Sequence, residues 1–295
     1  MPNRKEKITM NNLNLILKDA ESFLKKQANE NGYDIKKYFE PEIKSNNPFG
    51  NESDGNFKYI LYRFIGSSQN KTAQGYDSII NFWGNQAIFD KIFCHYDLNS
   101  IIKKYDIDTS QKFNEISKAN NIYNIFMQEN KKLDKRFNDH AESWKRFSKS
   151  VISIVIFLSE FNNYEQFNDF VSIYTNYRGK NEDYVLNSLP VYIASNLYNM
   201  GYTLVCDALK ECGYDSFIKP DIHLINFYKI VNRKDKANEQ EVQKFFFNLA
   251  SQNEMSPYKL DKIIWLIGTE FFYHEMNKKP NIKNGIKNFL SNYGI

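Results

Sequence analysis

From about Asn56 to the C-terminus, apolar residues return at helical intervals almost without a break, and that single pattern excludes most folds. No run alternates apolar and polar residues as a half-buried strand would, and no Asn-Gly pair sits between two such runs. Polar interruptions fall at 176–183, 232–240 and 277–285, where helices are expected to end. An earlier helix is predicted where Leu13, Leu15, Ile16, Ala20, Phe23 and Leu24 recur between Lys and Glu. Residues 31–56 break the pattern with Asn, Ser, Pro41, Pro48, Gly50 and Gly55, so they read as a loop or linker. The expectation is an all-α protein, with an extension over 1–56 and a helical body over 57–295. The chain holds no internal repeat and no heptad array.

A chain of 295 residues, 42% hydrophobic and 25% charged, can bury a sizeable core. Its 24 Phe and 20 Tyr supply much of that core. Tyr on a Lys-rich surface also suits contact with bases or sugars, and composition does not separate the two uses. The net charge of +4 permits binding to a polyanion without requiring it. Cys94, Cys206 and Cys212 form neither a paired framework nor a four-ligand metal set, which points to a reducing compartment and no structural metal. Residues 1–10 lack the apolar core of a secretory signal. The longest aliphatic run, Val151 to Leu158, is too short to span a bilayer and reads as a buried helix. A cytoplasmic chain is expected, with no membrane contact and no obligate protein partner.

Residues 188–226 are the most informative stretch. Ser188 is placed to cap a helix with Pro190 in its first turn and Val191, Ala194 and Leu197 on one face. A second helix is predicted from Tyr202, with Leu204, Val205, Ala208 and Leu209 on its apolar face and Gly213 as a left-handed stop. Asn199-Met-Gly201 stands between them, where a tight turn calls for residues that tolerate positive φ or lack a Cβ atom. With no side chain at Gly201, the backbone N–H groups opening the second helix can approach a phosphate. Such a hairpin grips the backbone of DNA and reads no sequence.

These residues resemble the helix-hairpin-helix (HhH-GPD) DNA glycosylase superfamily, whose signature is a Leu-Pro-Gly-Val-Gly-type hairpin followed by a catalytic Asp in an Asp-x-His context. The matching residues are Leu197-Tyr-Asn-Met-Gly201 and Asp221-Ile-His223. The family's bifunctional members carry a lysine two residues after the second hairpin glycine and eighteen before the Asp. Here that place is Thr203, with Asp221 eighteen residues on. The resemblance implies a two-lobed helical fold and DNA as partner. It also implies backbone contacts from Asn199, Gly201, Tyr202 and Thr203, with catalysis by Asp221.

Thr203 has no amine with which to form a Schiff base, so the resemblance implies base removal without strand cleavage. Loss of a base leaves an oxocarbenium-like sugar, and a carboxylate near C1′ stabilises its charge and orients water. Asp221 is the candidate. Pro220-Asp221 also reads as a plain helix N-cap, and in the family both descriptions hold together. His223 reads as a core histidine or as an orienting neighbour that supports catalysis. Lys219 reads as a phosphate contact or as a solvated side chain.

A second stretch, Gly66-Ser-Ser-Gln-Asn-Lys-Thr-Ala73, resembles the family's early Ser-Gln segment. There a polar side chain fills the gap left by a flipped base, which makes Gln69 the candidate wedge and Asn70 a pocket or strand contact. An ordinary polar loop explains the same residues. The length from Gln69 to the hairpin implies a helical insertion over about 96–149, carrying Lys131, Lys132, Lys135, Arg136, Lys145 and Arg146 as a solvated face or a DNA contact. Near the C-terminus, 256–268 reads as a capped helix from Pro257 that buries Leu260, Ile263, Ile264 and Ile267. Tyr258, Lys259, Lys262 and Trp265 belong to its packing or reach toward DNA.

No phosphate-binding Gly-rich loop with Lys, His-Glu-x-x-His motif or nucleophile elbow is present. The four-cysteine iron-sulfur cluster of some family members is also missing. No cofactor is expected, with the hairpin carbonyls left open to a monovalent cation. Two other classes stay open: a noncatalytic helix-hairpin-helix DNA-binding protein, and a helical interaction protein in which the hairpin is a plain turn.

Overall fold

Helix-forming periodicity is realised throughout the residues that the computed structural model describes, namely 10–45, 47–69, 86–110, 118–130, 141–179, 182–269 and 285–294. Among them are fifteen α-helices and no strand, so the protein is all-α. In chain order these are α1 (Met10–Asn31), α2 (Lys36–Phe39), α3 (Glu42–Ser45), α4 (Ser53–Ser67) and α5 (Gln86–Ile92). Next come α6 (Leu98–Tyr105), α7 (Ala119–Asn130), α8 (Ala141–Leu158), α9 (Tyr164–Thr175) and α10 (Glu182–Asn196). The last are α11 (Tyr202–Glu211), α12 (Ile222–Asn232), α13 (Glu239–Gln252), α14 (Pro257–Thr269) and α15 (Gly285–Ser291). The chain divides into two compact units, one of Met1–Glu42 with Gly213–Ile295 and one of Ile43–Cys212.

In the first unit α14 is the central helix, and α1, α2, α12, α13 and α15 all pack against it. Leu260, Ile263, Ile264, Leu266 and Ile267 of α14 are buried together with Leu224 and Phe227 of α12 and Val242 and Phe246 of α13. The N-terminal helix is part of this core, through Leu13, Ile16, Leu17, Ala20, Leu24 and Ala28. That set follows i, i+3, i+4, i+7, and it leaves Leu15 and Phe23 exposed, unlike the face drawn from the sequence. The stretch read as a linker contains α2 and α3, because Tyr38 is fully buried and fixes the chain to α14.

In the second unit α4 packs against α8, α9 and α11. Every residue from Val151 to Leu158 in α8 is buried, as the aliphatic run implied. Aromatic side chains fill much of this core: the Tyr62 and Tyr96 rings meet edge to face at 4.9 Å, and Phe49 and Phe93 lie beside Tyr96 at 5.5 and 5.8 Å. Polar side chains cap the starts of helices, one of them within the interruption at 232–240. Asn163 accepts the Gln166 N–H before α9, and Asn238 accepts the Glu241 N–H before α13.

No helix among the described residues is long and apolar enough to cross a membrane.

Candidate functional site

The hairpin belongs to the second unit, formed by α10, a turn over 197–201 and α11. Its first helix begins earlier than the sequence suggested. Glu182 and Asp183 open it, where carboxylates complement the helix dipole, so Ser188 and Pro190 lie inside rather than at the cap. The Ser188 hydroxyl donates to the Val185 carbonyl instead. The buried face is Leu186, Leu189, Pro190, Ile193 and Leu197, and Val191 points outward at 45% exposure. The packed face runs through Leu186, Leu189, Pro190, Ile193 and Leu197 at helical spacing, which puts Val191 outside it and Ala194 at its edge.

The turn itself follows the sequence. Asn199 adopts a left-handed φ of 60°, Met200 is buried as a plug, and Gly201 opens α11 without a side-chain cap. Gly201 has φ −83° and ψ 178°, a conformation open to any residue, and nothing lies within 4 Å of where its Cβ would be. Its value is thus open space before the helix rather than backbone freedom. The Ser153 hydroxyl accepts the Tyr198 N–H at 2.8 Å, tying the turn to α8, and Lys149 lies over the Tyr198 ring at 5.4 Å. The Tyr202 hydroxyl donates to Asn187 Oδ1 and braces the two hairpin helices, while Thr203 is half-buried at the lysine place.

Leu204, Val205, Ala208 and Leu209 are buried as predicted, and Gly213 takes the left-handed φ of 89°. Sequence reasoning missed the charges inside. Asp207, Lys210 and Glu211 of α11 are all buried, with Glu211 paired to Arg63 of α4 at 3.1 Å. Lys210 stands 3.7 Å from Asp207 and 3.8 Å from Glu211. Burial pushes the Cys212 thiol up, so it stays protonated and inert.

Asp221 belongs to the first unit. It is the N-cap of α12, half-buried, and its Oδ1 accepts the backbone N–H of His223 at 2.9 Å and of Leu224 at 3.3 Å. Oδ2 accepts no hydrogen bond among the described residues. The chain leading to it hangs from two buried polar side chains that sequence reasoning missed. Gln243 of α13 accepts the Ile218 N–H at 3.1 Å and donates to the Ser216 carbonyl at 2.8 Å. Asp261 of α14 accepts the Lys219 N–H at 2.5 Å. Both are only 1% exposed. A polar residue set among Val242 and Phe246, or beside Leu260 and Ile264, was the available signal.

His223 is 7% exposed and its imidazole has no hydrogen-bond partner among the described residues. Burial holds its pKa below the usual histidine value, with nearby Lys219 acting the same way and Asp221 opposing. Its ring lies on the backbone at Gly268, where a Cβ atom would stand 2.5 Å from Nδ1. Lys219 is half-buried.

No family model, curated protein or solved structure matches this chain. The resemblance therefore rests on the hairpin, the spacing and Asp221.

Gln69 follows α4 and is 7% exposed, so in this conformation its side chain is packed rather than presented as a wedge. Asn70, Tyr76 to Trp83, Lys131, Lys132, Lys135 and Arg136 lie outside the described residues. Of the remaining insertion cations, Lys145 pairs with Glu142 at 2.8 Å and Arg146 is exposed. Tyr258 and Lys262 are buried, and Lys259 pairs with Glu21 at 2.8 Å, so those three are packing residues of α14. No group of His, Cys, Asp and Glu suited to a metal ion occurs among the described residues.

Proposed function

We propose that the protein is a monofunctional DNA N-glycosylase of the helix-hairpin-helix type, excising a modified or damaged base and leaving an abasic site. The observation that carries this reading is the state of Asp221. A cap needs one carboxylate oxygen, and Oδ1 supplies it; Oδ2 has no hydrogen-bond partner among the described residues, on a half-buried side chain held by two backbone N–H groups. A carboxylate fixed in this way can stabilise positive charge at C1′ and orient an attacking water.

The hairpin supports the same reading. Gly201 presents an uncapped helix start with open space before it, suited to close approach of a phosphate. Thr203 in the place of the lysine removes the amine route, so water is the nucleophile and the strand stays intact. His223 serves as an orienting neighbour, since its ring packs on α14. Repair of damaged bases and defence against phage DNA with modified bases both fit this chemistry.

The test is mass-spectrometric detection of free bases released from a panel of damaged and phage-modified DNAs by the parent protein and by Asp221→Asn. Release by the parent alone, leaving unbroken alkali-labile strands, is the expected outcome. Equal release by both proteins removes Asp221 from the mechanism. DNA binding with no release from any substrate makes the protein a noncatalytic helix-hairpin-helix DNA-binding module.

A further inference from the structure

A cleft of about 570 Å³ opens in the first unit beside the C-terminal half of α12, where α14 ends and α15 begins. We infer that it is a binding site for a phosphate group, with room for a ligand of mononucleotide size. Small-molecule sites commonly occupy about 300–1,000 Å³. Asp221 does not line the cleft, so the inference stands apart from base excision.

The charge of the lining selects an anion. Lys229, Arg233, Lys234 and Lys287 face the space, and Asp235 is the single carboxylate among the described lining residues. Lys234 is already engaged, 2.8 Å from the Tyr228 hydroxyl and 3.4 Å from Glu241. Lys229 and Lys287 have no ion pair among the described residues, and they come from two different helices. With fewer carboxylates than cations around the space the cations repel one another, and a bound anion relieves that repulsion.

Backbone geometry adds to the charge. Arg233 ends α12 with a left-handed φ of 51°, a place where glycine or asparagine is the usual residue and a long side chain is strained. That conformation puts an arginine at the rim, and a guanidinium offers forked donors to phosphate oxygens.

The floor is His223, nine-tenths buried, with an imidazole that no described residue hydrogen-bonds. A phosphate oxygen entering the cleft can accept a hydrogen bond from a ring N–H. Close packing creates the space: Gly285 approaches the backbone of Gly268 so nearly that a Cβ would stand 2.5 Å from its carbonyl oxygen. Ile230 and Ile286 add apolar wall, suited to a sugar or the face of a base.

Phosphate is favoured over a carboxylate because several separated cations surround one space, matching a group with more charge and more acceptor oxygens. The source can be a free mononucleotide or a phosphodiester of DNA, and the experiment separates them. The full-length protein and a Lys229→Ala/Lys287→Ala variant are titrated calorimetrically with inorganic phosphate, with thymidine 5′-monophosphate and with a DNA duplex. The His223 ring proton, assigned with His223→Gln, is followed by NMR across pH.

Saturable binding of phosphate or the mononucleotide, weakened about tenfold or more in the double variant, identifies a free ligand. Loss confined to the duplex identifies a DNA phosphate. In either case the bound anion raises the His223 titration midpoint in the parent and not in the variant. The inference is overturned if a well-folded double variant, with an unchanged thermal midpoint, binds all three probes as the parent does. It is overturned equally if none of them binds or shifts His223.

Discussion

The Asp261 carboxylate accepts the Lys219 backbone N–H at 2.5 Å, so a buried group on α14 sets the path of the chain two residues before Asp221. Asp261→Ala leaves that amide without its acceptor and is expected to cost about 1–3 kcal/mol in urea unfolding. Asp261→Asn keeps a carbonyl oxygen at the same place and is expected to lose less. If Asp221 is catalytic, Asp261→Ala also lowers base release at saturating DNA, with little change in DNA affinity.

The observed capping role of Asp221 and its proposed role in base removal separate by substitution. Serine and asparagine cap helices about as well as aspartate does, whereas alanine does not. Asp221→Ala is expected to lower stability by about 0.5–2 kcal/mol, and Asp221→Ser to leave it nearly unchanged. Neither variant has a carboxylate, so under the proposed mechanism both are expected to lose base release. Full activity in a stable Asp221→Ser protein reduces the residue to a cap.

Acid sensitivity follows from His223. Its folded pKa lies below the ordinary histidine value of about 6.5, chiefly through burial, so near and below that pH the unfolded chain binds more protons than the folded one. Stability contributed by the neutral ring is therefore complete above 6.5 and is lost as pH falls toward the folded pKa. His223→Gln is expected to flatten that part of the stability profile, measured by thermal unfolding across pH. An unchanged slope assigns the acid sensitivity to other groups.

The all-α class was legible because helical periodicity depends only on which residues are apolar, and burial enforces it in Leu204, Val205, Ala208 and Leu209. The hairpin turn was legible through Asn199, since few residues take a left-handed φ. Helix starts were less so. Glu182 and Asp183 open α10 through their charge, while the stronger-looking signals Ser188 and Pro190 are carried inside it. Gln243 and Asp261, which bond the non-helical backbone at 216–219, and the Arg63–Glu211 pair, which joins two helices, were invisible because a lone polar residue on an apolar face does not reveal its distant partner. The N-terminal helix looked like an extension because its partner face on α14 comes more than two hundred residues later.

The Arg63–Glu211 pair offers a test of how α4 holds the second hairpin helix. Both side chains are nearly excluded from water at 3.1 Å separation, so removing one leaves the other charge buried. Glu211→Ala is expected to destabilise by about 3–5 kcal/mol in chemical denaturation. Replacing both, as Arg63→Met with Glu211→Leu, removes the unpaired charge and is expected to recover much of that loss. A double variant no better than Glu211→Ala places the cost in packing rather than charge.

Gly201 separates folding from the proposed DNA contact most directly. Its φ and ψ suit a β-branched residue, and the space around its missing Cβ is empty, so Gly201→Val meets no clash within the chain. Two small effects oppose each other: a poorer N-cap weakens the helix start, while a stiffer unfolded chain favours folding. Stability is expected to change by no more than about 0.5 kcal/mol. A phosphate seated on the α11 N-terminus does meet the added methyl groups. Duplex affinity is therefore expected to fall, with a shallower dependence on salt between about 50 and 200 mM because fewer counterions are released. An unchanged affinity and salt slope in a fully folded Gly201→Val protein moves the DNA contact away from the hairpin.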